Sequence, residues 1–350
     1  MTAYFFFSSV TRKSDLWRAP FDIEPLPRDQ WATGDFVVGR VVGKRNRLYR
    51  CETKTGRMAE MVRGDLLVGA FGMRAATLEG VGDWRRIGDD MEMEALTGAG
   101  LLGRVTSSSP LLPDLMRLKY RGHVVRDGRK LTMGDFATPV DTVPLEMPVI
   151  LIIGTSMSAG KTSAGRVIIR ALTYIGQDVV AAKLTGAARY ADILSFRDSG
   201  ARKVFDFVDV GLPSTICEPE VFTGALTQLL SMIQGTGAGV LVAEAGASPL
   251  EPYNGSLAVE AIRDLVRFTV LCASDPYAVV GVQSAFGQRP DLVAGPAANT
   301  EAAVALLDKL AGVEALNLLD RKCYPVLKDK LAAALGVDSA TAPYPVLRQP

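Results

Sequence analysis

A glycine-rich run near the middle of the chain has the residue types that bind phosphate groups. The run Gly154-Thr-Ser-Met-Ser-Ala-Gly-Lys-Thr-Ser163 follows five successive apolar residues, 149–153. An unbroken apolar run is typical of a buried parallel strand, and the apolar spacing over 164–172 predicts a helix after the loop. Between a strand and a helix, backbone N–H groups and the positive end of the helix dipole converge where phosphate oxygens bind. The run therefore predicts a nucleoside triphosphate site.

Two side chains of this loop carry the expected chemistry. Lys161 adds a positive charge beside the phosphates, and the Thr162 hydroxyl is a ligand for Mg²⁺. Five residues separate Gly154 from Gly160, one more than in the common phosphate loop. The alternative is a Gly/Ser-rich connection with an incidental lysine, but the order of strand, loop, Gly-Lys-Thr and helix favours the phosphate site. The expected nucleotide contacts are Gly154, Thr155, Ser156, Ser158, Ala159, Gly160, Lys161, Thr162 and Ser163.

Two other predicted strands lead into charged residues. One strand, 179–183, ends at Lys183, and Thr185 follows it; another, 239–243, is followed by Glu244. Ligands of parallel sheets bind outside the carboxyl ends of the strands, so we expect Lys183 to face the phosphates or the substrate. Glu244 is expected to bind Mg²⁺, which prefers oxygen ligands. The alternatives are a solvated lysine and a structural carboxylate.

The composition is ordinary for a globular protein. Of 350 residues, 48% are apolar and 22% are charged, and this length suggests about two domains. The formal net charge of +1 gives no field that favours nucleic acid. The four cysteines contain no CxxC pair, which argues against a zinc site or a disulfide framework. No signal peptide or membrane-length apolar stretch is recognisable, so we expect a cytoplasmic protein that binds neither nucleic acid nor membrane.

The chain divides into a β-rich part and an α/β part. Short apolar runs broken by glycine fill the first part, and two segments, 34–39 and 64–69, resemble each other at a period of 30. This pattern predicts a small barrel of duplicated hairpins. A proline-rich linker precedes alternating strands and helices, which predict a doubly wound, mostly parallel sheet. The predicted divisions are a β-rich domain (1–137), a linker (138–148), a P-loop α/β domain (149–335) and a tail (336–350), with strands at 149–153, 179–183, 239–243, 268–273 and 291–295.

The order of these motifs resembles that of dethiobiotin synthetase and its relatives, the cobyrinic and cobyric acid amide synthases. The resemblance covers about residues 149–312 and includes Glu-Ala-Gly-Ala at 244–247 and Gly-Pro-Ala-Ala-Asn at 295–299. It implies ATP and Mg²⁺ as cofactors, with Lys183 stabilising a phosphorylated intermediate. It also implies that Asp192 and Glu244 hold Mg²⁺ and that Asn299 contacts the base. Relatives of this domain often place the active site at a homodimer interface, so we expect a homodimer.

The substrate end of the pocket departs from that family. Dethiobiotin synthetases usually have the sequence Lys-Pro-Val at this point, whereas here Lys183 is followed by Leu184, Thr185 and Gly186. Neither a separate glutaminase domain nor a family precedent for the β-rich domain is recognisable.

The acceptor side has its own candidates. The catalytic candidates are Lys161, Lys183 and Thr185. The candidates for binding the substrate are Arg197, Arg202 and Gly246. The two arginines are chosen because guanidinium groups pair with carboxylates and phosphates. The alternative for the two arginines is the solvated face of an amphipathic helix.

Three functions remain open at this point. The first is an ATP- and Mg²⁺-dependent ligase that activates a small-molecule carboxylate or carbamate as a mixed phosphoric anhydride. The second is a small-molecule kinase with a phosphorylated product. The third is a nucleotide-dependent switch or assembly factor with the β-rich domain as its interaction module. The ligase is the leading hypothesis, although the sequence does not separate it well from the kinase, and the switch ranks below both because Lys183 and the acceptor-side cations would then have no role.

Overall fold

Short strands make up the first part of the chain. The structure is a computed structural model that describes residues 4–43, 50–110, 113–246, 248–287 and 289–339. We call the described residues before 138 the N-terminal β-region. Its strands are β1 (Phe5–Phe7), β2 (Asp22–Glu24), β3 (Phe36–Val41), β4 (Arg50–Glu52), β5 (Met58–Glu60), β6 (Leu66–Phe71), β7 (Met73–Ala75), β8 (Gly80–Asp83), β9 (Glu92–Ala95), β10 (Leu101–Ser108), β11 (Arg117–Arg126) and β12 (Arg129–Lys130).

Five strands of the β-region pair into a closed ring. β6 pairs with β3, β3 with β11, β11 with β9 and β9 with β10, and β10 returns to pair with β6. Closing a sheet on itself satisfies the backbone groups at its edges. One buried cluster draws side chains from all five strands, including Val37, Phe71, Met93, Leu102 and Leu118. These side chains fill the inside of the ring.

The two similar sequence segments form adjacent, equivalent strands, β3 and β6. The same turn precedes each strand. In it the side chains of Asp35 and Asp65 each accept a hydrogen bond from the backbone N–H three residues earlier, at 2.7 and 2.8 Å. Gly34 and Gly64, which precede these aspartates, have φ angles of 87° and 102°, values that favour glycine. The repeat of 30 residues is therefore a structural repeat.

A six-stranded parallel sheet with helices on both faces forms the second part of the chain. Its strand order is β15-β14-β16-β13-β17-β18 once the elements are numbered as follows. The strands are β13 (Val149–Gly154), β14 (Val179–Thr185), β15 (Lys203–Asp206), β16 (Val240–Ala245), β17 (Val266–Cys272) and β18 (Leu292–Ala294). The helices are α1 (Lys161–Tyr174), α2 (Tyr190–Asp198), α3 (Pro219–Gln234), α4 (Gly255–Ile262), α5 (Pro276–Phe286), α6 (Glu301–Ala311) and α7 (Tyr324–Leu335).

Side chains alternate between the two faces of this sheet. Leu151 of β13 packs in the cluster that holds α3, α5 and α6, whereas Ile150 and Ile152 pack in the cluster that holds α1, α2 and α7. Both faces of the central strands are buried, which explains their unbroken apolar sequence. The predicted doubly wound α/β fold is confirmed. Among the described residues, no helix is both long and apolar enough to cross a membrane.

The predicted strands of this sheet agree with the structure to within about two residues, and one strand was missed. The missed strand, β15, pairs with β14 at the edge of the sheet. It has only four residues and begins and ends with Lys203 and Asp206, so it lacks an apolar run. The predicted tail lies outside the described residues from 340 onward, and the predicted domain boundaries stay predictions.

The N-terminal β-region packs against the carboxyl edge of the parallel sheet. An apolar cluster joins Phe36 and Val68 of the ring to Ala188, Phe207 and Val208. These last three residues follow the carboxyl ends of β14 and β15. The β-region therefore covers the edge at which ligands of parallel sheets bind.

The start of α2 is capped by a residue of the β-region. Glu52, at the end of β4, is buried and accepts hydrogen bonds from the backbone N–H groups of Tyr190 and Ala191, each at 2.8 Å. Arg189, at the usual capping position, makes no side-chain cap. A carboxylate is favourable there because the first N–H groups of a helix lack partners and the dipole is positive. The cap fixes α2 to the β-region.

Arg12 forms a buried ion pair across the same interface. Its guanidinium lies 2.5 Å from Asp206 and 3.3 Å from Asp209, and the side chains of Arg12 and Asp206 are 7% and 0% exposed. Burial raises the pKa of Asp206, and Arg12 opposes this rise. The pair therefore favours the charged form of a carboxylate whose ionisation burial disfavours.

Arg12→Met is expected to lower the free energy of unfolding by about 3–5 kcal/mol near neutral pH, because it leaves Asp206 buried without its partner. Without Arg12 the pKa of Asp206 would rise further. The folded variant would then bind a proton more tightly than the folded unaltered chain does, so the loss relative to the unaltered chain should shrink as the pH falls toward about 5. Urea unfolding at both pH values measures this difference.

Lys13→Ala is the matched control, since its Nζ lies 3.6 Å from Asp209 and its side chain is 34% exposed. It should cost less than about 1 kcal/mol. A loss in Arg12→Met that grows as the pH falls would contradict the assignment.

Candidate functional site

The glycine-rich run connects β13 to α1. Lys161 is the first residue of α1, and Gly160 before it has a φ of 91°, in the left-handed region. The lysine side chain folds back over the loop and lies against Gly154. A Cβ atom built on Gly154 would be only 2.9 Å from the lysine Nζ. Nζ donates a 2.6 Å hydrogen bond to the carbonyl oxygen of Ser156. This arrangement of strand, loop and helix on a parallel sheet defines a P-loop domain.

Thr162 and Glu244 meet beside this loop. β13 and β16 are neighbours in the sheet, with Ile152 opposite Glu244. The Thr162 hydroxyl donates a 3.1 Å hydrogen bond to Glu244 Oε2, and Glu244 is only 2% exposed. The fold thus brings together the hydroxyl and the carboxylate that the sequence predicts to be Mg²⁺ ligands.

The residues at this point fit a magnesium ion that also binds a nucleotide. Mg²⁺ is usually held by one or two carboxylates, with substrate phosphates and water as its other ligands. Among the described residues, no group of three or more His, Cys, Asp and Glu side chains could hold a metal by itself. Thr162 and Glu244 supply oxygen donors only, so a metal held here would also need ligands from phosphate and water.

Lys183 lies within the same edge of the sheet. β14 and β16 place it opposite Glu244. Its Nζ lies 2.7 Å from Asp192 Oδ2 and 3.2 Å from the carbonyl oxygen of Ala187. Asp192, which we expected to bind the metal, pairs with Lys183 in the structure. The metal role of Asp192 stays a prediction.

Burial and charge pairing shift the pKa values of these groups in different directions. Burial lowers the pKa of Lys161, although Glu244 opposes this. Burial also acts to lower the pKa of Lys183, but Asp192 and Glu244 outweigh it and raise the pKa above the usual value. Burial raises the pKa of Glu244 despite both lysines. A further positive charge beside Glu244, such as a bound metal ion, would favour its ionised form.

Thr185 and Gly246 contact each other directly. The Thr185 hydroxyl donates a 3.1 Å hydrogen bond to the carbonyl oxygen of Gly246. A Cβ atom at Gly246 would lie 2.0 Å from the Thr185 carbonyl oxygen, so only glycine fits there. Thr185 therefore holds the residue that follows β16, and its catalytic role stays a prediction.

The remaining loop residues have separate partners. Thr155 N–H donates to the Cys272 carbonyl at 3.0 Å, and the Thr155 hydroxyl accepts from Ser274 N–H at 3.2 Å. Ala159 is buried and Ser163 is exposed on α1. The loop is thus anchored to the end of β17 at its start.

The turn that precedes Asn299 lies against the phosphate loop. A Cβ atom at Gly295 would lie 2.4 Å from the Ala159 carbonyl oxygen, so this turn rests on the loop. Asn299 is exposed and lines a cleft of about 1080 Å³, together with Thr300 and Asn317. The cleft is large enough for a nucleotide base, and Asn299 as the base contact stays a prediction.

The two substrate-candidate arginines are not brought to this site. Arg202 donates hydrogen bonds to Asp178 Oδ1 and to the Thr236 carbonyl, both at 2.9 Å. Asp178 precedes β14, so Arg202 lies at the amino edge of the sheet, opposite the phosphate loop. Arg197 is exposed in the last turn of α2, which runs back toward that edge. Arg202 thus has partners at the amino edge, and the substrate roles of Arg197 and Arg202 stay predictions.

The sequence did not reveal the residues that the β-region contributes. Ser158 in the phosphate loop donates a 2.9 Å hydrogen bond to Glu79 Oε1. Glu251, which follows β16, accepts hydrogen bonds from Thr77 N–H at 3.2 Å and from the Thr77 hydroxyl at 2.7 Å. Tyr253 accepts a 2.8 Å hydrogen bond from the N–H of Ala75. These contacts join residues 79 to 178 positions apart, and no local pattern marks them.

No family profile matches the sequence, and no curated protein matches it either. Several solved structures resemble the chain in part. The signal recognition particle receptor FtsY from Elizabethkingia anophelis is 10% identical, with 49% of this chain and 57% of that protein covered and a TM-score of 0.36. The match therefore spans little more than half of FtsY.

Two further structures show similar values. The hydrogenase maturation factor HypB from Archaeoglobus fulgidus is 16% identical, with 54% of this chain and 90% of that protein covered and a TM-score of 0.35. A DUF1611 family protein from Anabaena variabilis is 18% identical, with 57% and 62% covered and a TM-score of 0.36. At such TM-scores these likenesses carry no functional argument, and the P-loop assignment rests on the geometry above.

Mg²⁺ is expected to strengthen nucleotide binding. Glu244→Gln and Thr162→Ala should each reduce this strengthening by about tenfold or more, because each removes an oxygen donor beside the loop. Titrating Mg²⁺ at fixed nucleotide, with binding followed by calorimetry, measures this. Thr223→Ala, on the exposed part of α3, is the matched control and should change nothing. Unaltered Mg²⁺ dependence in both site variants would refute the metal assignment.

Asn299→Ala should reduce the preference between ATP and GTP by about tenfold, which corresponds to one or two lost hydrogen bonds to the base. Dissociation constants for both nucleotides, measured with and without the substitution, give the ratio. Equal affinity for ATP and GTP in both forms would remove Asn299 from the site.

Proposed function

We propose that the chain is a Mg²⁺-dependent nucleoside triphosphatase that signals its nucleotide state to the N-terminal β-region. It would act as a switch or an assembly factor, with the β-region as its output. One observation carries this proposal: two segments of the phosphate site contact the same hairpin of the β-region. The hairpin consists of β7, β8 and the turn between them, residues 73–83.

The first of these segments is the phosphate loop itself. Ser158 lies between the two glycines of the loop and bonds to Glu79 of the hairpin at 2.9 Å. A ligand held by the backbone N–H groups of this loop would lie beside that contact. Loading the loop with phosphate would therefore act directly on the hairpin.

The second segment follows β16, the strand that ends near Glu244. Glu251 in this segment is 8% exposed and bonds to Thr77, while Tyr253 is 0% exposed and bonds to Ala75. Thr185 holds the start of the same segment through Gly246. A change at Glu244 on metal binding or phosphate loss would thus reach the hairpin through the contacts of Glu251 and Tyr253.

The ligase hypothesis loses its main support. It rested on Lys183 stabilising a phosphorylated intermediate and on nearby cations binding the acceptor itself. Lys183 is engaged by Asp192 at 2.7 Å, and Arg202 pairs with Asp178 at the opposite edge. Both residues have structural partners, so an acceptor is no longer needed to explain them.

The residues of the loop define the expected chemistry. Lys161 would move from the Ser156 carbonyl to the phosphates and neutralise charge on the terminal group. Thr162 and Glu244 would hold Mg²⁺, which when bound supplies positive charge to the phosphate oxygens. The role of the β-region is to exclude water from this edge, which strengthens each of these charge interactions.

Phosphate release from ATP and GTP tests the proposal. We expect slow turnover, on the order of 10⁻³ to 10⁻² s⁻¹, because a P-loop without a partner-supplied activating group hydrolyses slowly. Adding a panel of carboxylic acids, amines and bicarbonate should not accelerate it. Hydrogen exchange in residues 73–83 should differ between the diphosphate-bound and the triphosphate-bound chain.

Lys161→Ala is the control and should abolish both the turnover and the change in hydrogen exchange. A many-fold stimulation by one acid or amine, with a stable phosphorylated or condensed product, would refute the switch and restore the kinase or ligase hypothesis.

A further inference from the structure

The hairpin of residues 73–83 places a carboxylate against the phosphate loop. Glu79 Oε1 accepts the 2.9 Å hydrogen bond from Ser158, and its side chain is 27% exposed. A triphosphate bound by this loop would bring several negative charges close to this carboxylate. Like charges at short range repel, and most strongly where water is excluded. Nucleotide binding is therefore expected to weaken the hydrogen bond between Glu79 and Ser158.

The same carboxylate holds an arginine of the hairpin. Arg74 donates through Nη2 to Glu79 Oε2 and through Nη1 to the Leu96 carbonyl oxygen, the latter at 3.1 Å. Its side chain is 11% exposed, and its Nε is buried without a hydrogen-bond partner among the described residues. A buried donor without an acceptor is unfavourable, and more so in a charged group. The guanidinium of Arg74 thus has capacity for a further acceptor.

The hairpin is anchored at two residues that follow Arg74. Ala75 and Thr77 bond to Tyr253 and Glu251 as described above. Both Arg74 and Lys183 act electrostatically on Tyr253, lowering its pKa against the larger upward effect of burial. Arg74 therefore lies within electrostatic reach of the residues at the carboxyl edge. The change would begin with the side chains of Arg74 and Glu79, and loss of the Glu79–Ser158 contact would remove one attachment of the hairpin to the phosphate loop.

We propose that Glu79 and Arg74 exchange partners when a nucleoside triphosphate binds: Glu79 releases Ser158, and Arg74 pairs with the terminal phosphate. This inference rests on the proposed function. In hydrolysis the water oxygen bonds to the terminal phosphorus as the bond to the bridging oxygen breaks. One water proton remains on the inorganic phosphate, the other is released, and the diphosphate keeps the bridging oxygen. Arg74 would stabilise the negative charge on the transferring group, a role in which an arginine is effective.

Binding and turnover measurements on the full chain test this exchange. The probes are Mg²⁺ with the diphosphate, and Mg²⁺ with a non-hydrolysable triphosphate analogue, for both adenine and guanine nucleotides. Arg74→Ala should bind the diphosphate about as tightly as the unaltered chain, but the triphosphate analogue about tenfold more weakly, and its turnover should fall about 100-fold or more. Arg74→Lys, which keeps the charge without the planar fork, should lose most of the same turnover.

Glu79→Gln gives the opposite change in affinity. Removing the charge that faces the phosphates should tighten binding of the triphosphate analogue by about tenfold, since the competing carboxylate is gone. Arg85→Ala and Asp83→Asn are the matched controls, because the exposed Arg85, just after the hairpin, pairs with the partly buried Asp83 at its end, with Nη2 2.9 Å from Oδ2. Both should leave the two dissociation constants and the turnover unchanged. Thermal melting establishes that each variant is folded.

Three results would overturn the exchange. One is that Arg74→Ala and Arg74→Lys keep full turnover and the full preference for the triphosphate. Another is that Arg74→Ala weakens the diphosphate and the triphosphate equally in a chain that melts normally, which would make Arg74 a structural residue. A third is that the unaltered chain binds no nucleotide with Mg²⁺, which would also refute the proposed function, whereas the first two results leave that function intact.

Discussion

The burial of opposite charges at one edge of the parallel sheet is the constraint on which the site depends. Lys161, Lys183 and Glu244 are each at most 5% exposed, and Asp192 is close beside them. Buried charges are tolerated only when they are paired, since removing one partner leaves the other uncompensated. Glu244 faces both lysines and its pKa is raised by burial. The site thus has a balance of charge that an added phosphate or metal ion must change.

The cover over this edge comes from the same chain. The N-terminal β-region caps α2 through Glu52, pairs Arg12 with Asp206 and shares an apolar cluster with the ends of β14 and β15. Loops at the carboxyl edge usually face solvent or a substrate. Here several of them face a closed ring of strands. These contacts connect the phosphate site to the β-region, and they support the proposed switch better than a ligase.

A small number of residues would carry the proposed coupling. Ser158 belongs to the phosphate loop, and Glu251 and Tyr253 belong to the segment after β16. All three bond to the hairpin of residues 73–83. Coupling between two sites requires an element that responds to both of them. This hairpin meets that requirement, because it touches both segments and two of its partners, Glu251 and Tyr253, are buried.

The sequence by itself determined the phosphate loop, the parallel sheet and the acidic partner of Thr162. These follow from local patterns, because an apolar strand, a glycine loop and a Gly-Lys-Thr helix start need only neighbouring residues. The acidic partner of Thr162, Glu244, was predictable because parallel strands bring their carboxyl ends together. Only the tertiary structure decided that Lys183 pairs with Asp192, that Arg202 turns to the amino edge and that Glu79 reaches Ser158. Such contacts depend on how helices return and how the β-region docks, and these long-range arrangements leave no periodic trace in the sequence.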